Sequence, residues 1–321
     1  MKESYKEIDN KNEDLRDYLA TYRDKGQEFL DRYEMSWIYH DSALEGVVYS
    51  SRELNAALHG GATKPTEVSM MPLILEIRNH KSVVEYIRAE ARSGTKKSAQ
   101  ITLTEIKRMH DLFSGNTPEA QAARALMGRR EKTEKELAKE AEKGGYRFKD
   151  TPLHRAYFHD IAPSVRIPAL LEKLVDFTES AEFREQHPIE QAATVQHQFL
   201  HIFPFAEHSG KIGRMCSNLI QLRHHFLPCV IHSIDRQKYY ESFRGPVASF
   251  RLLLVDAMDN SLDNALSTFG ICRGATGRST SLADRCTRFP PPEETKALPM
   301  PADDRLGFDD EEGTAPALGP R

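Results

Sequence analysis

Along most of the chain up to about residue 270, apolar residues recur at helical spacing, and glycine and proline are sparse. Tyr18, Leu19, Tyr22, Phe29 and Tyr33 mark one face of a charged amphipathic helix over 5–35. The loop GGATKP at 60–65 separates it from a helix within 68–92, carried by Met71, Leu75, Val83 and Ile87. Thr102 or Thr104 caps a helix through Ile106, Met109 and Leu112, which closes at Ser114-Gly115-Asn116. The run 130–144 has few large apolar residues and reads as a solvated helical arm or an insertion.

The segment LHRAYFHDIA at 153–162 is the best short extended stretch, ended by Pro163 and Pro168 before a helix at 169–178. His187-Pro188 opens a further helix with Ile189, Ala192, Ala193 and Leu200 at helical spacing. Another runs from about 210, with Ile212, Met215, Cys216, Leu219 and Leu222 on one face, and helix is predicted again over 235–269. From about Arg273 the chain turns rich in Pro, Gly, Ser and acidic residues. It cannot bury enough apolar surface there to offset its conformational entropy, so this tail is expected to be disordered. The expected fold class is all-α: one helical domain of roughly 270 residues with at most one β-hairpin.

Composition narrows the function classes. Charged residues make up 29% and hydrophobic residues 39%, an ordinary globular balance. A net charge of −4 with 8% aromatic residues gives no pull towards nucleic acid or anionic membrane. No stretch reaches the ~18 apolar residues of a membrane span, and the polar N-terminus lacks a signal-like apolar region. Cys216, Cys229, Cys272 and Cys286 have neither zinc nor disulfide spacing and read as reduced, which points to the cytoplasm.

The candidate chemistry lies in HIFPFAEHSGKIGR at 201–214, between two buried-looking helices. Gly210 and Gly213 flank Lys211 where the chain enters a helix, so backbone N–H groups and the helix dipole favour an anion there. Lys211 and Arg214 are three apart on the first turn and reach one polyphosphate together. Glu207 suits a magnesium ion bridging phosphates. The spacing is not that of a P-loop, and an ordinary helix–helix connection is the alternative reading of these residues alone.

This block resembles the Fic (Fido) family of protein nucleotidyltransferases, whose signature runs H-P-F-x-D/E-G-N-G-R-x-x-R between two helices. Arg223, Leu227-Pro228, Val230-Ile231, Asp235-Arg236 and Tyr239-Tyr240 continue the likeness, and upstream stretches resemble the helix before the family's flap and the flap hairpin. The resemblance implies a Fic-type helical bundle with a small β-hairpin flap: an N-terminal helical region at 1–67, a Fic-like core at 68–272 and the tail at 273–321. It carries Pro204, Phe205, Glu207 (metal), Gly210, Lys211 and Arg214 onto the motif. His208 replaces a glycine, Ser209 the asparagine that helps hold a phosphate, and Phe203 the histidine that acts as base. His201 and His208 are the candidate substitute bases, each also readable as a packing or surface histidine.

Self-inhibited members of the family carry S/T-x-x-x-E-G/N on a separate helix. Here a candidate inhibitory helix at 36–46 offers Glu45-Gly46, with Asp41 at the usual Ser/Thr position. The expectation is a Glu45–Arg214 ion pair, against the plain reading of a surface glutamate before a helix-ending glycine. The resemblance implies ATP or another nucleotide with Mg2+, and transfer of AMP or a related group to a protein hydroxyl. A nucleotide-binding or protein-interaction pseudoenzyme is the alternative. The implied partners are a protein substrate or binding partner and a nucleotide, with a homodimer left open.

Overall fold

Local capping signals set several of the helix ends. Thr102 accepts a hydrogen bond from the Glu105 N–H while the Glu105 carboxylate takes the Thr102 N–H, a closed capping box that starts its helix. Ser50 and Glu53 do the same two helices earlier. Pro188 fills the first helical position after His187, whose Nδ1 accepts from the Ile189 N–H. Gly46, at φ 90°, ends another helix: the Val47 N–H reaches the Ser42 carbonyl and the Gly46 N–H that of Ala43.

The computed structural model describes residues 2–59, 71–93, 100–115, 145–148 and 159–269. In chain order the helices are α1 (Lys2–Thr21), α2 (Arg23–Leu44), α3 (Ser51–Leu58), α4 (Met71–Arg92) and α5 (Leu103–Phe113). They continue with α6 (Ile167–Glu179), α7 (Ala181–Arg184), α8 (Pro188–Ile202), α9 (Ser209–Arg223), α10 (Arg236–Ser242) and α11 (Val247–Thr268). The described residues contain no β-strand. The loop at 60–65, the charged run 130–144, residues 153–158 of the expected extended segment and the tail at 273–321 lie outside the described residues. Residues 159–162, the rest of that segment, are irregular.

The helices α8 and α9 are the central pair. Phe199, Leu200, Ile212, Met215, Cys216, Leu219 and Ile220 are all fully buried between and around them. Outside this pair, α4 and α5 cover one side of α9, and α11 covers α8. α1 is fixed onto α11 by Lys11, whose ammonium lies 2.7 Å from both Asp259 and Asp263. Cys216 and Cys229 are buried free thiols. No described helix is long and apolar enough to cross a membrane.

Three helix readings need correction. The helix expected over 5–35 breaks at Tyr22, which adopts non-helical φ −112°, ψ 65°. Gly26 then lies so close to Leu19 that a Cβ would meet its Cδ2 at 3.1 Å, and Tyr22 is half exposed instead of on the apolar face. The helix expected over 235–269 is split by Gly245-Pro246, because proline cannot donate to the ladder and instead precedes α11. Pro168 does not precede α6 but sits in its first turn, where a missing N–H costs nothing.

Candidate functional site

The connection between α8 and α9 is set by two left-handed residues. Phe203 ends α8 at φ 47°, ψ 65°, and His208 precedes α9 at φ 65°, ψ 2°. Glycine reaches this region most readily, and glycine is the residue that the family resemblance implies where His208 stands. Between them Phe205 is buried and stacks on His110 of α5 at 4.1 Å, and the His208 ring stacks on Phe113 at 5.6 Å. Ser209 closes the loop: its hydroxyl accepts from the Phe205 N–H and donates to the Phe205 carbonyl, both at 2.8 Å. Its one donor is therefore used inside the loop. Gly210 is buried in the first turn of α9.

Both motif cations are buried, and both are paired with acids from other helices. Lys211 Nζ lies 2.9 Å from Glu76 Oε1 of α4. Arg214 donates through Nε to the Asp41 carboxylate, through Nη2 to Glu45 at 2.8 Å and to the Asp41 carbonyl at 3.1 Å, and through Nη1 to the Tyr239 hydroxyl at 3.2 Å. Burial would lower the Arg214 pKa; Asp41, Tyr239 and Glu45 together outweigh it, and the group is held well above its usual range. Against the burial that would raise it, Lys211 holds the Glu76 carboxyl below its usual value. Three carboxylates thus surround two cations.

Behind Asp41 stands His80 of α4, fully buried, with Nε2 at 3.3 Å from Asp41 Oδ2 and Nδ1 at 3.5 Å from Ser42 Oγ. Burial, then the charges of Lys211 and Arg214, push this ring far below its usual pKa, so it is neutral. A proton on Nε2 and a lone pair on Nδ1 suit both neighbours. Beside Arg214, a cavity lined by Trp37, Asp41, Leu44, Gln196 and Asn218 has a volume of about 10 Å3, room for a single water.

The remaining predicted residues divide. Glu207 projects from the loop with its side chain 74% exposed, 4.0 Å from His208 Nε2. One carboxylate is enough for a magnesium ion whose other ligands are phosphate oxygens and water, so this position fits such an ion only together with a polyphosphate. Among the described residues no three His, Cys, Asp or Glu side chains converge to hold a metal by themselves. His208 is held below its usual pKa by burial and by Lys211, and it faces the cradle. His201 does not: its Nδ1 donates to the His197 carbonyl at 2.9 Å, and its ring packs with His159 and His197. Phe203 is buried, 2% exposed, and carries no proton acceptor.

A reading of the sequence singles out Asp41, Glu45 and Tyr239. Glu76, His80 and Arg147 escape it. Glu76 and His80 on α4 are four apart and so share a helix face, but that spacing does not say what the face meets. The Arg147 guanidinium caps the end of α8 through the carbonyls of Phe203 and Ile202.

Residues 100–221 match the model of the Fic/DOC family. Protein adenylyltransferase fic-1 of Caenorhabditis briggsae is 23% identical over 210 residues, covering 64% of this chain and 35% of that protein. Protein adenylyltransferase Fic of Nematostella vectensis is 24% identical over 255 residues, 77% of this chain and 52% of that protein. The chain thus spans between a third and about half of the length of these relatives. The same fold is seen in Fic-1 from C. elegans, with a TM-score of 0.62 at 19% identity over 83% of this chain and 71% of that one. A Fic domain containing signaling protein from Bacteroides thetaiotaomicron gives a TM-score of 0.62 at 18% identity, over 84% of this chain and 100% of that one.

Proposed function

We propose that this chain, which belongs to the Fic/DOC family, is a Fic-type protein nucleotidyltransferase held closed by α2. The single observation that carries the reading is the engagement of Arg214 by Asp41 and Glu45 of one helix. A phosphate-binding arginine shielded this way is charged and positioned but closed to an anion. Displacing α2 exposes Arg214, and Lys211 with the first N–H groups of α9 completes an anion site at the helix N-terminus. Glu207 would hold the magnesium ion, which neutralises phosphate charge when bound.

In the transfer, a protein hydroxyl oxygen bonds to the α-phosphorus of ATP, the bond to the β-phosphate bridging oxygen breaks, and pyrophosphate leaves. The hydroxyl proton needs an acceptor, and Phe203 is none. His208, neutral and beside Lys211, is the better placed of the two candidate bases. A cytoplasmic location is part of the same reading, supported by the two buried free thiols. Incubation of the full chain with α-labelled ATP and magnesium tests it. Label is expected on protein in a variant freed of its α2 acids, less in the wild type and none in Arg214→Ala; no label in the freed variant across several target proteins refutes it.

A second reading is favoured by Phe203 itself. A buried phenylalanine where the family has its base fits a pseudoenzyme that binds nucleotide to change shape or partner. It predicts a nucleotide-dependent rise in Tm without turnover. Absence of any shift with ATP, GTP, CTP and UTP plus magnesium excludes it.

A further inference from the structure

The two α2 carboxylates on Arg214 are not equivalent. Asp41 is 3% exposed, and it meets the guanidinium twice, by its carboxylate at Nε and by its backbone carbonyl at Nη2. Glu45 meets it once, at Nη2, and keeps 17% of its side chain exposed on the last residue of the helix cap. Asp41 is also backed by a second helix, since its other oxygen faces Nε2 of the buried His80 ring of α4 at 3.3 Å, and neither of those two atoms makes a hydrogen bond elsewhere or to the other. Charge pairs shielded from solvent are screened far less than exposed ones. The partly exposed glutamate is more open to competition from water than the buried aspartate.

We propose that Asp41, positioned by His80, is the principal residue closing Arg214 in this chain, with Glu45 secondary. Removal of Glu45 alone then leaves the arginine covered, while opening the site requires α2 to withdraw Asp41 from between Arg214 and His80. This rests on the closed-site reading above. It gives α4 a part in the closure, because the helix that supplies Glu76 to Lys211 also supplies the support for Asp41.

Phenylglyoxal labelling of the full chain, read at Arg214 by peptide mass spectrometry, measures the exposure of the guanidinium without any nucleotide. Arg223, bonded to Glu105 and to the Gln100 carbonyl, serves as the internal control for folding. Arg214 is expected to stay protected in wild type and nearly so in Glu45→Gly, and to be labelled faster in Asp41→Ser and fastest in the double variant. His80→Leu is expected to raise labelling, and His80→Gln, which restores a donor, to lower it again. Labelling in Glu45→Gly as fast as or faster than in Asp41→Ser overturns the proposal. If Asp41→Ser also exposes Arg223, the comparison is read from Asp41→Asn/Glu45→Gly against Glu45→Gly.

Calorimetric titration with magnesium-ATP separates the two readings. Apparent affinity scales with the open fraction, so the double variant should bind about tenfold or more tightly than Glu45→Gly. Equal affinity overturns the role of Asp41. Arginine exposure that follows Asp41, with no ATP bound by any variant, upholds the lock and refutes the nucleotide reading instead.

Discussion

The guanidinium of Arg147 lies against the carbonyl of Phe203, with Nε donating to that oxygen at 2.6 Å. Its Nη2 reaches the carbonyls of Ile202, at 3.3 Å, and Ala162. The Arg147 N–H donates to the Pro204 carbonyl at 2.9 Å. A cation at the C-terminus of α8 satisfies carbonyls that the helix itself leaves open, and it complements the negative end of the helix dipole. It also holds Phe203 in its left-handed conformation and so sets where the loop to α9 begins.

Arg147→Ala should therefore destabilise the protein by about 3 kcal/mol, since hydrogen bonds from a charged donor contribute roughly 1.5–3 kcal/mol each and buried carbonyls are left unpaired. Arg147→Lys should recover less than half, because an ammonium cannot fork across several carbonyls. Urea unfolding of the two variants measures both. An Arg147→Ala midpoint equal to that of wild type would show that the cap contributes nothing.

Gly213 gives a second test of the α8–α9 contact. A Cβ there would meet Phe199 Cδ1 at 3.2 Å and Leu200 Cδ2 at 3.4 Å, both on the facing helix. Overpacking a core costs about 1–3 kcal/mol, and the gain in helix propensity from glycine to alanine is about 1 kcal/mol. Gly213→Ala should lower stability by roughly 1 kcal/mol net. A Tm above wild type would mean that Phe199 moves aside freely.

Acid should weaken the fold through histidines that are neutral inside it. Burial, then the charge of His232, lowers His40 to about 3, and burial, then His201, lowers His197 to about 4. The unfolded chain takes up these protons near pH 6.5, before the folded one does. The stabilisation is therefore complete above about pH 7 and is lost as pH falls from 6.5 towards 4 and then 3. The urea midpoint should follow that course. In His40→Gln, whose amide oxygen can still accept the Ser233 N–H now bonded to His40 Nδ1, the slope should flatten; an unchanged slope assigns the loss to other groups.

Phe203→His tests the chemistry directly. Histidine tolerates the left-handed region better than phenylalanine does. In the Asp41→Ser/Glu45→Gly background it should raise AMP transfer by about 10²–10⁴-fold, the usual contribution of a general base. Transfer from α-labelled ATP is the measurement. If Phe203→His transfers no faster than the parent, the base is supplied elsewhere, and His208→Ala becomes the deciding variant.

What the sequence determined by itself is local. Thr102 with Glu105, His187 with Pro188, and Gly46 after Glu45 each start or stop a helix through contacts within a few residues. The α8–loop–α9 unit was likewise legible, as the switch from helical spacing to a small-residue turn marks it. The sequence also placed Asp41 and Glu45 on one face, and a resemblance suggested that Glu45 meets Arg214.

Tertiary structure decided which acids neutralise the cradle. Glu76 is 135 residues from Lys211, and Asp41 is 173 from Arg214. Among 48 acidic side chains nothing local marks Glu76, and nothing local says what Asp41 meets, because an ion pair depends on where whole helices pack and not on the residues beside each charge. The same holds for His80 behind Asp41 and for Arg147 under Phe203. The break at Tyr22 belongs here too, since the close approach of Gly26 to Leu19 follows from how α1 and α2 pack together.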